Sequence, residues 1–234
     1  MVPIEIIPAV LPKSFSELEG TVARLRGISR KMQLDVVGGG FFSFNRSWPF
    51  RDHKSFQKML KEKTGLPYWT EFDIEVDLMV DNPSELALTF VELHVSRVII
   101  HARHKGALEA ASRLDQYEDS EHPTPVSVGI ALASHAILEE LEPFEGLYDF
   151  VQVMGIDHIG RQGQPPCPHH KELELIRALR QKFPDLTIQV DGGVAAHVKE
   201  LVQAGASRLV VGSAIINAQN PKETYERLYT EANG

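Results

Sequence analysis

Residues 187–216 read TIQVDGGVAAHVKELVQAGASRLVVGSAII. Two short β-branched runs, Thr187–Val190 and Arg208–Val211, each end at glycine and lead toward helix. The first closes on Asp191-Gly192-Gly193 and the second on Gly212-Ser213. Between them, AAHVKELVQAGA has helical periodicity, and Gly205 closes it. A strand, a helix and a second strand in so short a span form a parallel β/α unit.

The same alternation runs back through the chain. Strands are expected at Ile4–Ile7, Met32–Val37, Asp73–Val80, Arg97–His101, Ser127–Ala131 and Phe150–Met154. Helix-like segments lie between them, including SFSELEGTVARLRG, PSELALTFVELH and HKELELIRALRQKF. In the second of these, Leu86, Phe90 and Leu93 recur at helical spacing. DNPSEL offers Asn82 as a cap and Pro83 as the first helical residue. Eight such units in 234 residues predict one α/β domain over residues 1–234, a (β/α)8 TIM barrel rather than an open doubly wound sheet. The stretch from Phe41 to Trp69 is expected to hold a loop and one helix. In such a barrel the chemistry sits at the C-terminal ends of the strands.

Composition narrows the function classes. The net charge is -8, so there is no basic footprint for nucleic acid or an anionic membrane. One cysteine, Cys167, excludes an intrachain disulfide and argues for a reducing compartment. The N-terminal residues lack a basic region followed by an apolar one, and no apolar run approaches a bilayer's span. A cytoplasmic location is expected. The glycines at 38–40 match no dinucleotide fingerprint, so no nucleotide cofactor is expected.

The turns after the last two strands stand where such barrels bind phosphate, because glycine lets backbone N–H groups approach an anion. Gly192, Gly193, Gly212 and Ser213 are the candidate ligands. The plainer alternative is that they only make tight turns. A second anomaly is MQLDVVGGGFF, residues 32–42, where an apolar strand carries Asp35 near its end. A buried carboxylate is costly unless paired, hydrogen-bonded or bound to metal.

These pieces together resemble the ribulose-phosphate 3-epimerase family along nearly the whole chain. They are IIPAVLPKSFSEL, MQLDVVGGGFF, IEVDLMVDNPSEL, RVIIHA, VGIAL, QVMGIDHIGRQGQ, VDGG and GASRLVVGSAII, in the family's order. The resemblance implies a phosphorylated pentose substrate, a divalent metal in the barrel mouth and a homo-oligomer. It implies that Asp35 and Asp191 shuttle a proton through an enediolate, and that Met79 and Gly163 join the glycine turns around the substrate. Two carboxylates on opposite faces of a carbon acid suit that chemistry when each pKa fits its role.

The chain departs from the family where metal is concerned. The family's two metal-binding histidines fall at Gln33 and Asp77, a serine near the substrate falls at Ala9, and a second aspartate falls at Gly38. Alternation places Gln33 with Asp35, and Glu75 with Asp77 and Met79. A mouth of Asp35, Asp77, Asp191 and the amide oxygen of Gln33 suits Mg²⁺ or Mn²⁺ better than Zn²⁺. The competing reading is that metal binding is lost and that Arg103, Lys105 or Arg161 supplies the positive charge. His101 matches a family histidine at a strand end. The loop MGIDHIGRQGQ is longer than the family's and brings Asp157, His158 and Arg161 toward the mouth. CPHH (Cys167, His169, His170) matches no zinc spacing and is read as a helix-start loop. The expected function is epimerisation of a phosphorylated sugar. The alternatives are an aldol-type or decarboxylative lyase on the same scaffold, or a phosphate-ligand binding protein without catalysis.

Overall fold

A computed structural model describes residues 3–38, 46–117 and 126–234. Gly39, Gly40 and the first residues of the stretch from Phe41 lie outside the described part. Eight parallel strands close into a barrel in sequence order: β1 (Glu5–Val10), β2 (Lys31–Val37), β3 (Asp73–Met79), β4 (Arg97–His101), β5 (Ser127–Leu132), β6 (Phe150–Met154), β7 (Thr187–Asp191) and β8 (Arg208–Val211). The helices are α1 (Phe15–Leu25), α2 (His53–Glu62), α3 (Ser84–Glu92), α4 (Ala107–Asp115), α5 (Lys171–Lys182), α6 (Val198–Ala204), α7 (Ser213–Ile216) and α8 (Pro221–Asn233). A 3₁₀ segment, Leu138–Phe144, takes the place of a helix between β5 and β6. Among the described residues, no helix is long and apolar enough to cross a membrane.

Strand alternation sorts the side chains into two cores. Leu34, Val36, Val76, Leu78, Val98, Ile100, Val151, Val153, Ile188 and Val190 point outward and are buried under the helices. Their inward neighbours are different in kind. Gln33 pairs with Glu75, Asp35 with Asp77 and Val37 with Met79 across β2 and β3. Gln152 pairs with Gln189, and Gln189 with Arg208, further round the barrel. The barrel axis is therefore polar, flanked by a small apolar group of Ile99, Ala131, Phe150 and Met154.

Three local readings need correction. β1 runs through Pro8 to Val10 rather than stopping at Ile7, because proline's fixed φ lies within the extended region. Asn82 does not cap α3 through its side chain: it sits at φ 52, Pro83 takes the capping position and the helix begins at Ser84. The expected helix over AAHVKELVQAGA begins only at Val198, after a 3₁₀ turn at Val194–Ala196. Gly205 ends it in the left-handed conformation, as expected.

Candidate active site

Asp191 ends β7 and Asp35 lies two residues before the end of β2, and they reach the mouth from strands separated by β8 and β1. Both line a cavity of about 430 Å³ at the C-terminal end of the barrel. Asp77 lies deeper, fully buried, outside the cavity lining. One oxygen from each of the three carboxylates lies within 4.8 Å of the others.

The groups that hold these carboxylates are mostly amides. The Gln33 side-chain N–H₂ donates to Asp35 Oδ1 at 2.8 Å and to Asp191 Oδ2 at 3.2 Å. Gln152 Nε2 donates to Asp77 Oδ2 at 2.9 Å, and His101 Nε2 lies 2.9 Å from Asp77 Oδ1. Beneath them Gln189 Nε2 donates to the side-chain oxygens of Gln33, Gln152 and Glu75. Arg208 pairs with Glu75 at the bottom of this layer. Gln33 therefore turns its nitrogen to the carboxylates and its oxygen to Gln189. The expected amide-oxygen ligand points away from the mouth in this arrangement.

The electrostatics follow from burial and crowding. Burial raises Asp35 well above the usual carboxylate range, and the charges of Asp191 and Asp77 add to it; donation from Gln33 and Gln162 opposes. Burial also raises Asp191 to about 7, with the charge of Asp77 reinforcing and Gln33 opposing. Both carboxyls are therefore held above the ordinary carboxylate range.

The glycine turns face the same cavity. Gly192, Gly193, Gly212 and Ser213 line it with Ala9, Met79, Arg161 and Gly163. Gly192 and Gly193 have φ 94 and 67, conformations that a side chain resists. A Cβ on Gly193 would come within 2.8 Å of Pro166 Cα. Ala196 N–H donates to the Gly193 carbonyl oxygen, and Ile215 and Ile216 N–H to that of Gly212, which leaves the earlier N–H groups of each turn toward the cavity side. Such N–H groups are the kind of donor an anion uses.

Other sequence candidates sort clearly. Arg161 is the cationic side chain in the cavity lining. Arg103 is paired with Glu140 at 2.7 Å on the surface and does not serve the carboxylates. Lys105 is exposed and lies outside the lining. Asp157 accepts from Ser134 Oγ at 3.3 Å, and neither it nor His158 lines the cavity. Sequence reading missed Gln162, which reaches over the mouth to Asp35 and to within 3.5 Å of the Ala9 carbonyl oxygen. It also missed Gln152 and Gln189, whose only signal was a polar residue at alternate positions of buried strands.

A closed parallel barrel whose mouth combines facing carboxylates with paired glycine turns belongs to the class of phosphate-binding (β/α)8 proteins. The match that follows is to the ribulose-phosphate 3 epimerase family, over residues 5–216, and the chain belongs to that family. The ribulose-phosphate 3-epimerase of Schizosaccharomyces pombe is 28% identical over 230 residues, covering 97% of this chain and 93% of that protein. The cytoplasmic isoform from Oryza sativa subsp. japonica is 26% identical, covering 98% and 95%. Among solved structures, a 3-hexulose-6-phosphate synthase superposes with a TM-score of 0.66 at 17% identity, covering 99% of this chain and 100% of that one. KGPDC from Streptococcus mutans gives 0.67 at 10% identity, covering 100% of both. These two likenesses speak to the fold alone.

Proposed function

We propose that the chain is a sugar-phosphate epimerase that inverts the carbon next to the carbonyl of a phosphorylated ketopentose. The observation that carries this reading is the Asp35–Asp191 pair, two carboxyls bridged by one amide at the wall of the cavity and both raised above the ordinary carboxylate range by burial. A two-base reaction needs one ionised and one protonated carboxyl at the start. The ionised member takes the proton from the carbon on one face, and the electron pair moves into an enediolate. The protonated member then delivers its proton to the opposite face. The two aspartates exchange protonation states in each turnover, and exchange with solvent resets them. Gln33 follows the charge, because its N–H₂ lies within hydrogen-bond reach of both.

The phosphate is held by the turns at Gly192–Gly193 and Gly212–Ser213, with Arg161 closing from the loop. Met79, Gly163 and Gln162 line the sugar. Asp35, Asp77 and Asp191 fit a divalent cation, since three oxygen donors lie within 4.8 Å of one another and a hard cation such as Mg²⁺ or Mn²⁺ prefers carboxylates. When bound, it supplies positive charge beside the oxygens on which negative charge develops. Gln33 joins that ligand set only if its amide rotates.

Solvent deuterium incorporation tests the reading. Native protein supplied with ribulose 5-phosphate and Mg²⁺ or Mn²⁺ is expected to label ribulose 5-phosphate and xylulose 5-phosphate. D35N and D191N are expected to lose epimerisation by about 10²–10⁴-fold. No label with native protein would move the assignment to a lyase or a binding protein on the same scaffold.

A further inference from the structure

A second cluster of metal-ligating side chains lies beside the mouth and takes no part in the chemistry above. Glu172, in the first turn of α5, is fully buried. His197, just before α6, lies with Nε2 3.0 Å from Glu172 Oε1. His170, just before α5, lies with Nδ1 3.2 Å from the same oxygen. The carboxylate's other oxygen, Oε2, accepts from the Cys167 thiol. One donor atom from each of His170, Glu172 and His197 lies within 4.8 Å of the other two.

This spacing is close to a coordination sphere. Tetrahedral zinc with bonds of about 2.0–2.1 Å sets its ligand atoms roughly 3.3 Å apart. The two distances here fall a few tenths of an ångström short of that. An ion pair satisfies the cluster less well. The structure gives Glu172 no lysine or arginine partner among the described residues, only the two imidazoles and the thiol. His197 Nδ1 is buried without a partner. A metal on Nε2 would hold His197 as the neutral imidazole with its proton on Nδ1, so the buried Nδ1 lacks an acceptor with or without the metal, and it is the donor set and its spacing that point to a cation.

We propose that His170 Nδ1, Glu172 Oε1 and His197 Nε2 form a site for a zinc-type divalent cation, with Cys167 holding the second carboxylate oxygen as a positioning residue. The His170 side chain is 54% exposed, so the fourth position opens to solvent. The cation ties together two parts of the cavity wall. Cys167 follows Pro165 and Pro166 of the lining and donates its N–H to the Gly155 carbonyl oxygen at 2.8 Å. His197 follows the Gly193 turn directly. The site thus fastens the long loop after β6 to the turn proposed to hold phosphate.

The test is zinc competition against a chromophoric chelator, using chelator-stripped full chain. Native protein, D35N/D77N, H170A, H197Q and C167S are compared, each checked by circular dichroism. D35N/D77N removes the mouth carboxylates as competitors and is expected to keep this zinc. H170A changes a half-exposed ring and is expected to keep the fold. In either background H170A and H197Q are expected to weaken zinc by more than about 100-fold, and C167S by about 10-fold. Zinc is also expected to raise the melting temperature of native protein but not of H170A. Zinc stoichiometry and affinity unchanged by H170A and H197Q would overturn the proposal. So would the absence of any zinc on D35N/D77N together with equal stoichiometry for native protein and H170A.

Discussion

Replacing Asp191 by asparagine is expected to stabilise the fold at alkaline pH. In the folded state burial, Asp77 and Glu75 raise this carboxyl from 3.8 to about 7. A raised carboxyl binds its proton more tightly in the native than in the unfolded chain. Its contribution is fully present below the unfolded value and is lost as pH rises toward the folded one. The interval between 3.8 and about 7 corresponds to about 4 kcal/mol, at about 1.4 kcal/mol per pH unit. Asp191 is only partly enclosed at the mouth, so solvent screening brings the expected effect to about 2–4 kcal/mol. The assay is urea unfolding of native protein and D191N in chelator at several pH values from 4.5 to 8. With an m-value of about 3 kcal/mol/M, D191N is expected to unfold at roughly 1 M higher urea at pH 8. The difference is expected to shrink steadily toward pH 4.5, and added Mg²⁺ or Mn²⁺ is expected to narrow it by binding native protein. D191N less stable than native at pH 8, or a difference independent of pH, would refute the reasoning.

Three further outcomes test other parts of the molecule. G193A places a Cβ 2.8 Å from Pro166 Cα at φ 67, and is expected to raise KM for a phosphorylated substrate more than it lowers kcat in steady-state assays. R161A removes the cation of the cavity lining and is expected to raise the same KM by about 10–100-fold, the equivalent of one charged hydrogen bond, with weaker salt dependence. F90A empties a fully buried ring packed 5.8 Å from Phe56 and 6.2 Å from Trp48, and urea unfolding is expected to show a loss of about 3–5 kcal/mol.

The strands, and the presence of Asp35 and Asp191 near strand ends, were legible because each depends on local pattern. Period-two alternation placed Gln33 beside Asp35 and Asp77 beside Met79, and the pairing of β2 with β3 has that register. Glycine after a β-branched run marked the turns for the same local reason. What stayed hidden depends on partners distant in sequence. Nothing near Arg103 announces that Glu140 will neutralise it. CPHH does lead into α5, as its lack of zinc spacing suggested. Its third ligand, His197, is 25 residues beyond Glu172 and comes beside it only when α6 starts next to α5. The direction of the Gln33 amide was also invisible, since it is set by Gln189, 156 residues away.

That last amide has a wider consequence. Gln189 meets three oxygen atoms with its nitrogen, and this obliges Gln33 and Gln152 to point theirs upward at the aspartates. The three amides thereby form a relay of N–H donors, from Gln189 to Gln33 and Gln152 and from these to the carboxylates. The relay has a cost, because the oxygen of Gln189 is left buried without a donor. In return the side chain that donates to Asp35 and Asp191 from below is an amide, which carries no charge and does not titrate. Substituting any one of the three glutamines by glutamate would turn donors into acceptors beneath the pair, making position 189 a control point for acidity at atoms it never touches.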